Sequence, residues 1–137
     1  MNGEDILDGA QVRAAHAAGA KFIVSPGLDR AVVEATLSLQ LPVVPGAATA
    51  SELMEARALA LNVVKIFPAE QLGGAAGVRA LTSPFGAMSF MPTGGVNDTN
   101  LASYLAVPGV IACGRTAGTI DGGRGTATVR DPASAGP

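Results

Sequence analysis

The sequence predicts an α/β fold in which parallel strands alternate with helices. Five short apolar runs have the composition of buried strands, and they are followed in turn by Pro26, Pro45, Pro68, Pro92 and Gly114. These stops are 19, 23, 24 and 22 residues apart, about the length of one strand, one helix and two loops. Continuous apolar strands separated by amphipathic helices indicate a parallel sheet that is covered by helices. The regular spacing favours part of a (β/α)8 barrel, and an open doubly wound sheet is the alternative.

Chain length limits the size of that barrel. The chain has 137 residues, whereas a complete (β/α)8 barrel typically takes about 250. We therefore expect a partial TIM barrel of about five parallel strands over residues 1–120. Residues 121–137 contain mainly Gly, Ala, Thr and Pro with almost no large apolar side chain, which predicts a disordered tail.

Capping residues predict where the helices begin. Asp8 and Asp29 each suit an N-cap, and Thr49 with Glu52 three residues later forms a capping box. On the second helix, Leu37 is expected to face the core. The predicted helices are 9–18, 30–39, 50–61, 73–83 and 98–106, and the predicted strands are 21–25, 41–44, 63–67, 89–92 and 110–113.

Composition excludes several classes of function. The net charge is −2 and Lys and Arg occur singly, so the sequence has no basic patch for nucleic acid and no polybasic membrane anchor. The first ten residues are acidic and polar, unlike a secretory signal, and no apolar stretch could span a bilayer. We expect a cytoplasmic protein. Because Cys113 and His16 are the sole residues of their types, we expect neither a metal nor a cofactor.

Lys65 lies inside the apolar, β-branched run Val63–Phe67. A buried ammonium ion is costly unless it is paired or loses its proton. One interpretation is a lysine at the strand end whose amine reaches water. The other is a lysine held partly neutral by burial, whose amine can attack a carbonyl and form a Schiff base.

Two loops that follow strands have the composition of a phosphate site. Thr93, Gly94 and Gly95 come between a predicted strand and a predicted helix, where glycines let backbone N–H groups approach an anion. The next such loop, 114–116, supplies further backbone donors, a guanidinium and a hydroxyl. A tight turn with no ligand is the alternative interpretation of the two glycines.

Several segments in order along the chain resemble the KDPG/KHG aldolase family. They are Lys21–Gly27, Val44–Gly46 followed by Thr49–Glu52, Val64–Glu70, Pro92–Val96 and Ala112–Gly114. The resemblance covers about residues 6–116. It implies a homotrimeric lyase with a (β/α)8 barrel, a class I aldolase that works through a lysine imine without metal. The implied substrate is 2-dehydro-3-deoxy-6-phosphogluconate of the Entner–Doudoroff pathway, a small phosphorylated keto acid, which is cleaved to pyruvate and glyceraldehyde 3-phosphate.

The resemblance also implies a role for each matching residue. Lys65 corresponds to the lysine that forms the Schiff base, and Thr93 to a residue near the substrate carboxylate. The remaining matches are Pro26 and Phe67, which would shape the pyruvyl pocket, and Gly94, Gly95, Gly114 and Thr116, which would bind phosphate. In this mechanism the protonated imine accepts the electrons of the breaking carbon–carbon bond, so a lysine takes the place of a metal ion.

The sequence departs from the family pattern at both ends. The family's general-base glutamate and carboxylate-binding arginine lie on an early strand for which we expect no counterpart here, and Glu4 and Asp5 stand where the family has Gly-Thr. Near the other end, Arg115 and Ala117 replace a Gly and a Trp. Glu70 is the acid nearest Lys65 in sequence and is a candidate substitute base. We expect impaired activity and hypothesise a fragmentary or frameshifted gene product.

Two alternatives to an active aldolase remain open. One is a non-catalytic phosphate-binding fragment of the same fold. The other is a related barrel enzyme in which Lys65 acts only as an electrostatic partner for phosphate.

Overall fold

The computed structural model describes residues 6–116 and 125–129. Helices and parallel strands alternate along the chain, which confirms the predicted fold class. The elements are α1 Gly9–Ala17, β1 Ile23–Ser25, α2 Arg30–Ser38, β2 Val43–Ala47, α3 Ala50–Ala58, β3 Val63–Ile66, α4 Gly74–Thr82, β4 Ser89–Pro92, α5 Leu101–Leu105, β5 Ala112–Thr116 and β6 Gly125–Val129. The chain forms two compact units, Met1–Lys65 and Ile66–Pro137.

The first unit contains three neighbouring strands in the order β1, β2, β3. β1 and β2 are parallel, and Ile23 lies opposite Val43. Apolar side chains of the helices and strands form its core. Val12, Val32, Val33, Leu53 and Val64 are all fully buried there.

The helices of the first unit begin at the predicted caps. The carboxylate of Asp8 accepts a hydrogen bond from the backbone N–H of Gln11 at 2.8 Å, and Asp29 caps α2 in the same way. The hydroxyl of Thr49 accepts from the N–H of Glu52 at 3.2 Å, which confirms the predicted N-cap, and the Glu52 carboxylate accepts in return from the N–H of Ala48 at 2.8 Å. These bonds satisfy N–H groups that have no partner within the helix, so each cap fixes a helix start locally.

The second strand extends further than predicted. β2 continues through Pro45 and Gly46, although the sequence suggested that Pro45 ends it. Pro45 lies opposite Ser25 in the parallel register. Proline is accepted in a strand where its missing N–H is not needed for the ladder. The prediction of a stop at this proline was therefore wrong.

The inward face of α2 also differs from the prediction. Leu37 is 45 % exposed, whereas Val32, Val33 and Thr36 are buried. These three residues form a narrow stripe, and Leu37 lies about 100° further around the helix than Thr36. The small residue Thr36 occupies the core position, and its hydroxyl donates to the carbonyl of Val32 at 2.8 Å.

The second unit begins with Ile66, the last residue of β3. Its carbonyl accepts from the N–H of Thr93 at 2.8 Å, directly after β4. β4 and the segment that leads into β5 are linked by a parallel bridge between Phe90 and Val110. Among the fully buried side chains of this unit, Phe90 and Tyr104 are the largest.

The fifth strand does not end at Gly114 as predicted. β5 runs from Ala112 to Thr116 and passes through Gly114. Gly114 forms a parallel bridge to Thr93 and lies opposite Ala127 of β6 in an antiparallel register. Because glycine has no side chain, the two neighbouring segments can approach position 114 closely. Gly114 is thus part of a strand and not of a loop.

A further strand lies in the segment that was predicted to be disordered. β6 spans Gly125–Val129 and pairs antiparallel with the whole of β5. Threonine and valine favour extended structure, which is a local signal that the overall composition concealed. The other residues of the predicted tail, 121–124 and 130–137, lie outside the described residues.

Within the described ranges, no helix is both long and apolar enough to cross a membrane.

Candidate functional site

Lys65 lies in β3 and is buried, with 8 % of its surface exposed. The residues on either side of it, Val64 and Ile66, are fully buried. Lys21, the other lysine of the sequence, is exposed. Most of the Lys65 side chain is therefore withdrawn from water.

Pro26 follows β1 in a turn of the first unit and is half-buried. The hydroxyl of Ser25 donates to the carbonyl of Gly27 at 2.8 Å and closes the turn. The turn lies against β2, since a Cβ added to Gly46 would be 2.0 Å from the carbonyl oxygen of Pro26. Gly46 therefore determines how closely the Pro26 turn approaches the sheet.

In the second unit, the segment after β3 and the loop after β4 are joined by backbone hydrogen bonds. The N–H of Ala69 donates to the carbonyl of Thr93 at 2.8 Å, and the N–H of Glu70 donates to the carbonyl of Gly94 at 3.0 Å. This segment begins with Phe67, whose peptide bond to Pro68 is cis. The structure thus brings the predicted pyruvate-pocket residue Phe67 and the predicted phosphate loop into one connected piece of backbone.

Packing explains why glycine occupies Gly94 and Gly95. Their φ angles are +102° and +82°, a region that L side chains rarely adopt. A Cβ at Gly94 would lie 3.0 Å from the Cα of Pro68, and one at Gly95 would lie 2.3 Å from the Cγ of Glu70. Both glycines are therefore required by the protein's own packing, whichever interpretation of the loop is correct.

A cluster of polar side chains supports this loop, and the sequence analysis did not detect it. The hydroxyl of Tyr104 donates to Glu70 Oε1 at 2.6 Å. The side-chain N–H of Asn100 donates to the same oxygen at 3.1 Å and to the carbonyl of Gly95 at 3.0 Å. Tyr104 and Asn100 lie 34 and 30 residues beyond Glu70, so no local sequence pattern could have indicated the cluster.

The cluster also changes how Glu70 is interpreted. One of its carboxylate oxygens accepts hydrogen bonds from two donors, which is the arrangement of a structural carboxylate. Burial, and then the hydrogen bond and negative charge of Glu70, raise the pKa of Tyr104 well above its usual range. Tyr104 is thus held as a neutral hydrogen-bond donor to Glu70.

The last two predicted phosphate residues belong to β5. Gly114 packs against Thr93, because a Cβ at position 114 would lie 2.7 Å from Thr93 Oγ1. Thr116 is the last residue of β5 and its backbone lies opposite Gly125. The structure therefore brings Thr93 and Gly114 together directly.

Cys113, which directly precedes Gly114, is buried, and burial raises the pKa of its thiol to about 11.

Among the described residues, no group of three or more His, Cys, Asp or Glu side chains is close enough to hold a metal ion. A cleft of about 250 Å³ in the second unit lies at the C-terminal end of α4. It is lined by Arg79, Thr82, Ser83, Val107 and Pro108, none of which is a predicted site residue.

Comparison with known proteins gives a consistent result for most of the chain. A family model described as KDPG and KHG aldolase matches residues 2–120. A 2-dehydro-3-deoxy-phosphogluconate aldolase of Treponema pallidum is 48 % identical over 109 residues, which are 80 % of this chain and 52 % of that protein. The enzyme of the same name from Pseudomonas aeruginosa is 44 % identical over 111 residues, which are 81 % of this chain and 50 % of that protein. The chain spans about half the length of the curated relatives it matches.

Solved structures give the same result for the fold. A KDPG aldolase from Legionella pneumophila, with pyruvate captured as a covalent carbinolamine intermediate, is 37 % identical with a TM-score of 0.76. The match covers 80 % of this chain and 53 % of the Legionella chain. The 2-keto-3-deoxy-6-phosphogluconate aldolase of Zymomonas mobilis, with 3-phosphoglycerate, is 30 % identical with a TM-score of 0.81. That match covers 90 % of this chain and 58 % of the neighbour.

Proposed function

The chain belongs to the KDPG and KHG aldolase family, and we propose that it acts in class I aldolase chemistry with Lys65 as the residue that forms the imine. The substrate on this proposal is 2-dehydro-3-deoxy-6-phosphogluconate, and the products are pyruvate and glyceraldehyde 3-phosphate. The observation that carries the proposal is the burial of Lys65 in β3, 8 % exposed, within the segment that matches the family.

The proposed reaction needs one amine as its electron sink. The amine of Lys65 adds to the keto carbon and gives a carbinolamine, which takes up a proton and loses water to become a protonated imine. The C4 hydroxyl of the substrate then gives up its proton to water as the bond between C3 and C4 breaks. The electrons of that bond move into the imine to form an enamine, and the aldehyde leaves. Protonation of the enamine and addition of water release pyruvate and restore the amine. The carbinolamine in the Legionella relative supports this route.

The loop Thr93–Gly95 is the proposed place for the phosphorylated end of the substrate, together with Gly114 and Thr116. Thr93 would lie near the substrate carboxylate, and Pro26 and Phe67 would shape the pyruvyl pocket. The 3-phosphoglycerate in the Zymomonas relative supports a phosphorylated ligand for this family.

Glu70 is the acid nearest Lys65 in sequence and is therefore a candidate general base. General-base catalysis contributes about 10²- to 10⁴-fold in rate. The hydrogen bonds from Tyr104 and Asn100 to Glu70 argue against this carboxylate as a substitute base. We further propose, from the family alone, a cytoplasmic homotrimer.

Reductive trapping tests the imine directly. The chain is incubated with pyruvate and borohydride, and the modified peptide is identified by mass spectrometry. The sequence contains two lysines, so Lys65→Arg is the test variant and Lys21→Arg is the matched control. We expect the adduct on Lys65 in the wild type and in Lys21→Arg, and its loss in Lys65→Arg. A folded wild-type chain with no adduct on Lys65 would contradict the proposal.

A second candidate is a phosphate-binding chain without turnover. It is favoured by the loop itself, whose backbone is fixed by hydrogen bonds from Ala69 and Glu70. Calorimetry with 3-phosphoglycerate on Lys65→Ala separates the two. Unchanged binding together with no cleavage of substrate by the wild type would favour this candidate. Full activity of Lys65→Arg would instead support a purely electrostatic lysine.

A further inference from the structure

Glu70 and Tyr104 lie in two different segments of the second unit, and their side chains meet at the glycine loop. The hydroxyl of Tyr104 is 2.6 Å from Glu70 Oε1. Tyr104 belongs to α5, and its side chain is fully buried. Hydrogen bonds to an ionised carboxylate are shorter and about twice as strong as neutral ones. This bond therefore fixes the orientation of the Glu70 side chain relative to α5.

Asn100 connects the same carboxylate to the loop backbone. Its Nδ2 donates to Glu70 Oε1 at 3.1 Å and to the carbonyl of Gly95 at 3.0 Å. Its Oδ1 accepts from the N–H of Asn97 at 2.8 Å. One amide side chain thus holds both ends of the turn that follows Gly95, and Glu70 holds that amide.

The stem of Glu70 supports the loop from the other side. A Cβ at Gly95 would lie 2.3 Å from Glu70 Cγ and 2.7 Å from its Cβ. The backbone N–H of Glu70 also donates to the carbonyl of Gly94 at 3.0 Å. Backbone, stem and carboxylate of this one residue therefore all contact the loop Thr93–Gly95 or its support.

We propose that Glu70 is a positioning residue that holds the loop Thr93–Gly95 in the conformation that binds the substrate phosphate, acting through Tyr104 and Asn100. The inference rests on the proposed function for the identity of the ligand. It assigns no proton transfer to Glu70, which separates it from the general-base role. What the loop requires from Glu70 is a hydrogen-bond acceptor at Oε1, and a glutamine supplies the same acceptor without the charge.

Glu70→Gln keeps a hydrogen-bond acceptor at position 70 but cannot act as a carboxylate base, whereas Glu70→Ala removes both functions. Comparing the two variants shows whether the loop needs only the acceptor. Amide hydrogen exchange over residues 93–100 reports the loop without any ligand. We expect exchange there to rise about tenfold or more in Glu70→Ala, because hydrogen bonds to a charged group are lost. We expect exchange close to wild type in Glu70→Gln. Equal exchange in wild type and Glu70→Ala, or equally fast exchange in both variants, would overturn the inference.

Tyr104→Phe is a second test variant, which keeps the buried ring and removes only the hydroxyl. We expect it to raise exchange in the same residues, and we expect Tyr104→Phe combined with Glu70→Ala to add little further. Additive effects of the two substitutions would show that the residues act separately and would overturn the inference.

The single tyrosine of the sequence gives a readout of the contact itself. Tyrosinate absorbance is followed as the pH is raised. Burial, and then the hydrogen bond and charge of Glu70, raise the pKa of Tyr104. We therefore expect the midpoint to move to lower pH in Glu70→Ala and, by a smaller amount, in Glu70→Gln. Glu34→Gln, an exposed carboxylate of the first unit, is the control and leaves the midpoint unchanged. An unchanged midpoint in Glu70→Ala would contradict the contact.

Binding of 3-phosphoglycerate by calorimetry connects the loop to function. We expect affinity to fall about tenfold or more in Glu70→Ala and to stay within about threefold in Glu70→Gln. A wild-type chain that binds no 3-phosphoglycerate, but whose exchange responds as described, would refute the proposed function and leave the positioning role of Glu70 intact. Loss of binding in Glu70→Gln equal to that in Glu70→Ala would overturn the positioning role.

Discussion

The carbonyl oxygen of Pro26 lies so close to Gly46 that a Cβ at position 46 would be 2.0 Å from it. The contact joins the turn after β1 to the middle of β2, and both contacting groups are backbone. Neither can rotate away as a side chain could. The position of Pro26, which is proposed to shape the pyruvyl pocket, thus depends on the absence of a side chain at Gly46.

Gly46→Ala is therefore expected to destabilise the protein by about 3 kcal/mol or more, the upper end of the range for overpacking. Urea denaturation measures the change in the free energy of unfolding. Gly27→Ala is the matched control in the same turn, because a Cβ there meets nothing within 4 Å and its φ is not in the left-handed region. We expect the control to be neutral or stabilising by up to about 1 kcal/mol. Wild-type stability of Gly46→Ala would refute the close contact.

Gly114→Ala tests the contact between β5 and Thr93. A Cβ at position 114 would lie 2.7 Å from Thr93 Oγ1 and 3.2 Å from its Cγ2. Threonine is stiff at χ1, so the side chain cannot easily turn away. We expect a loss of about 1 to 3 kcal/mol in the free energy of unfolding.

Thr93→Ala removes both atoms and is expected to rescue this loss. A double-mutant cycle should give a favourable coupling of at least about 0.5 kcal/mol between the two alanines. Strict additivity in the cycle would show that the two residues do not meet.

Gly94→Ala separates the proposed phosphate site from the proposed imine site. Position 94 has a φ of +102°, and a Cβ there would meet the backbone of Pro68 at 3.0 Å. We expect the loop to be displaced, so that 3-phosphoglycerate binding falls about tenfold or more in calorimetry while pyruvate is still trapped on Lys65. Gly86→Ala, at a glycine with open space and no left-handed φ, is the control for both measurements. Equal binding by Gly94→Ala and Gly86→Ala would count against the phosphate loop.

The thiol of Cys113 provides a prediction of pH dependence. Burial raises its pKa from the ordinary 9.0 to about 11, and the thiolate is the reactive form. Ellman's reagent should therefore react slowly with the native protein at neutral pH, and faster as the pH approaches about 11.

The same shift has a defined effect on stability. Because the folded pKa is above the unfolded value, the contribution of the protonated thiol is fully present below pH 9.0 and is lost as the pH rises to about 11. Urea denaturation between pH 9.0 and about 11 should show a smaller decrease in the free energy of unfolding for Cys113→Ala than for the wild type. An identical pH dependence of the two proteins would contradict the raised pKa.

The local features of this fold could be predicted from the sequence. Asp8 and Thr49 begin their helices as expected, since an N-cap is a hydrogen bond between residues two or three apart. The apolar run around Lys65 is a buried strand, because such a run has no other low-energy place in a small domain. The motifs that resemble the aldolase family also needed only the order of residues along the chain.

Tertiary structure decided what depends on residues far apart in the chain. β2 and β5 continue through Pro45 and Gly114 because neighbouring strands pair with them, which a residue's own preference cannot show. Leu37 is exposed because Thr36 occupies the core position. The contact of Glu70 with Tyr104 joins side chains 34 residues apart. Packing and hydrogen bonding across such distances are set by the whole fold. The sequence therefore sufficed for the capped helix starts, the five parallel strands and the candidate lysine, whereas the strand ends, β6 and the support of the glycine loop depended on the tertiary structure.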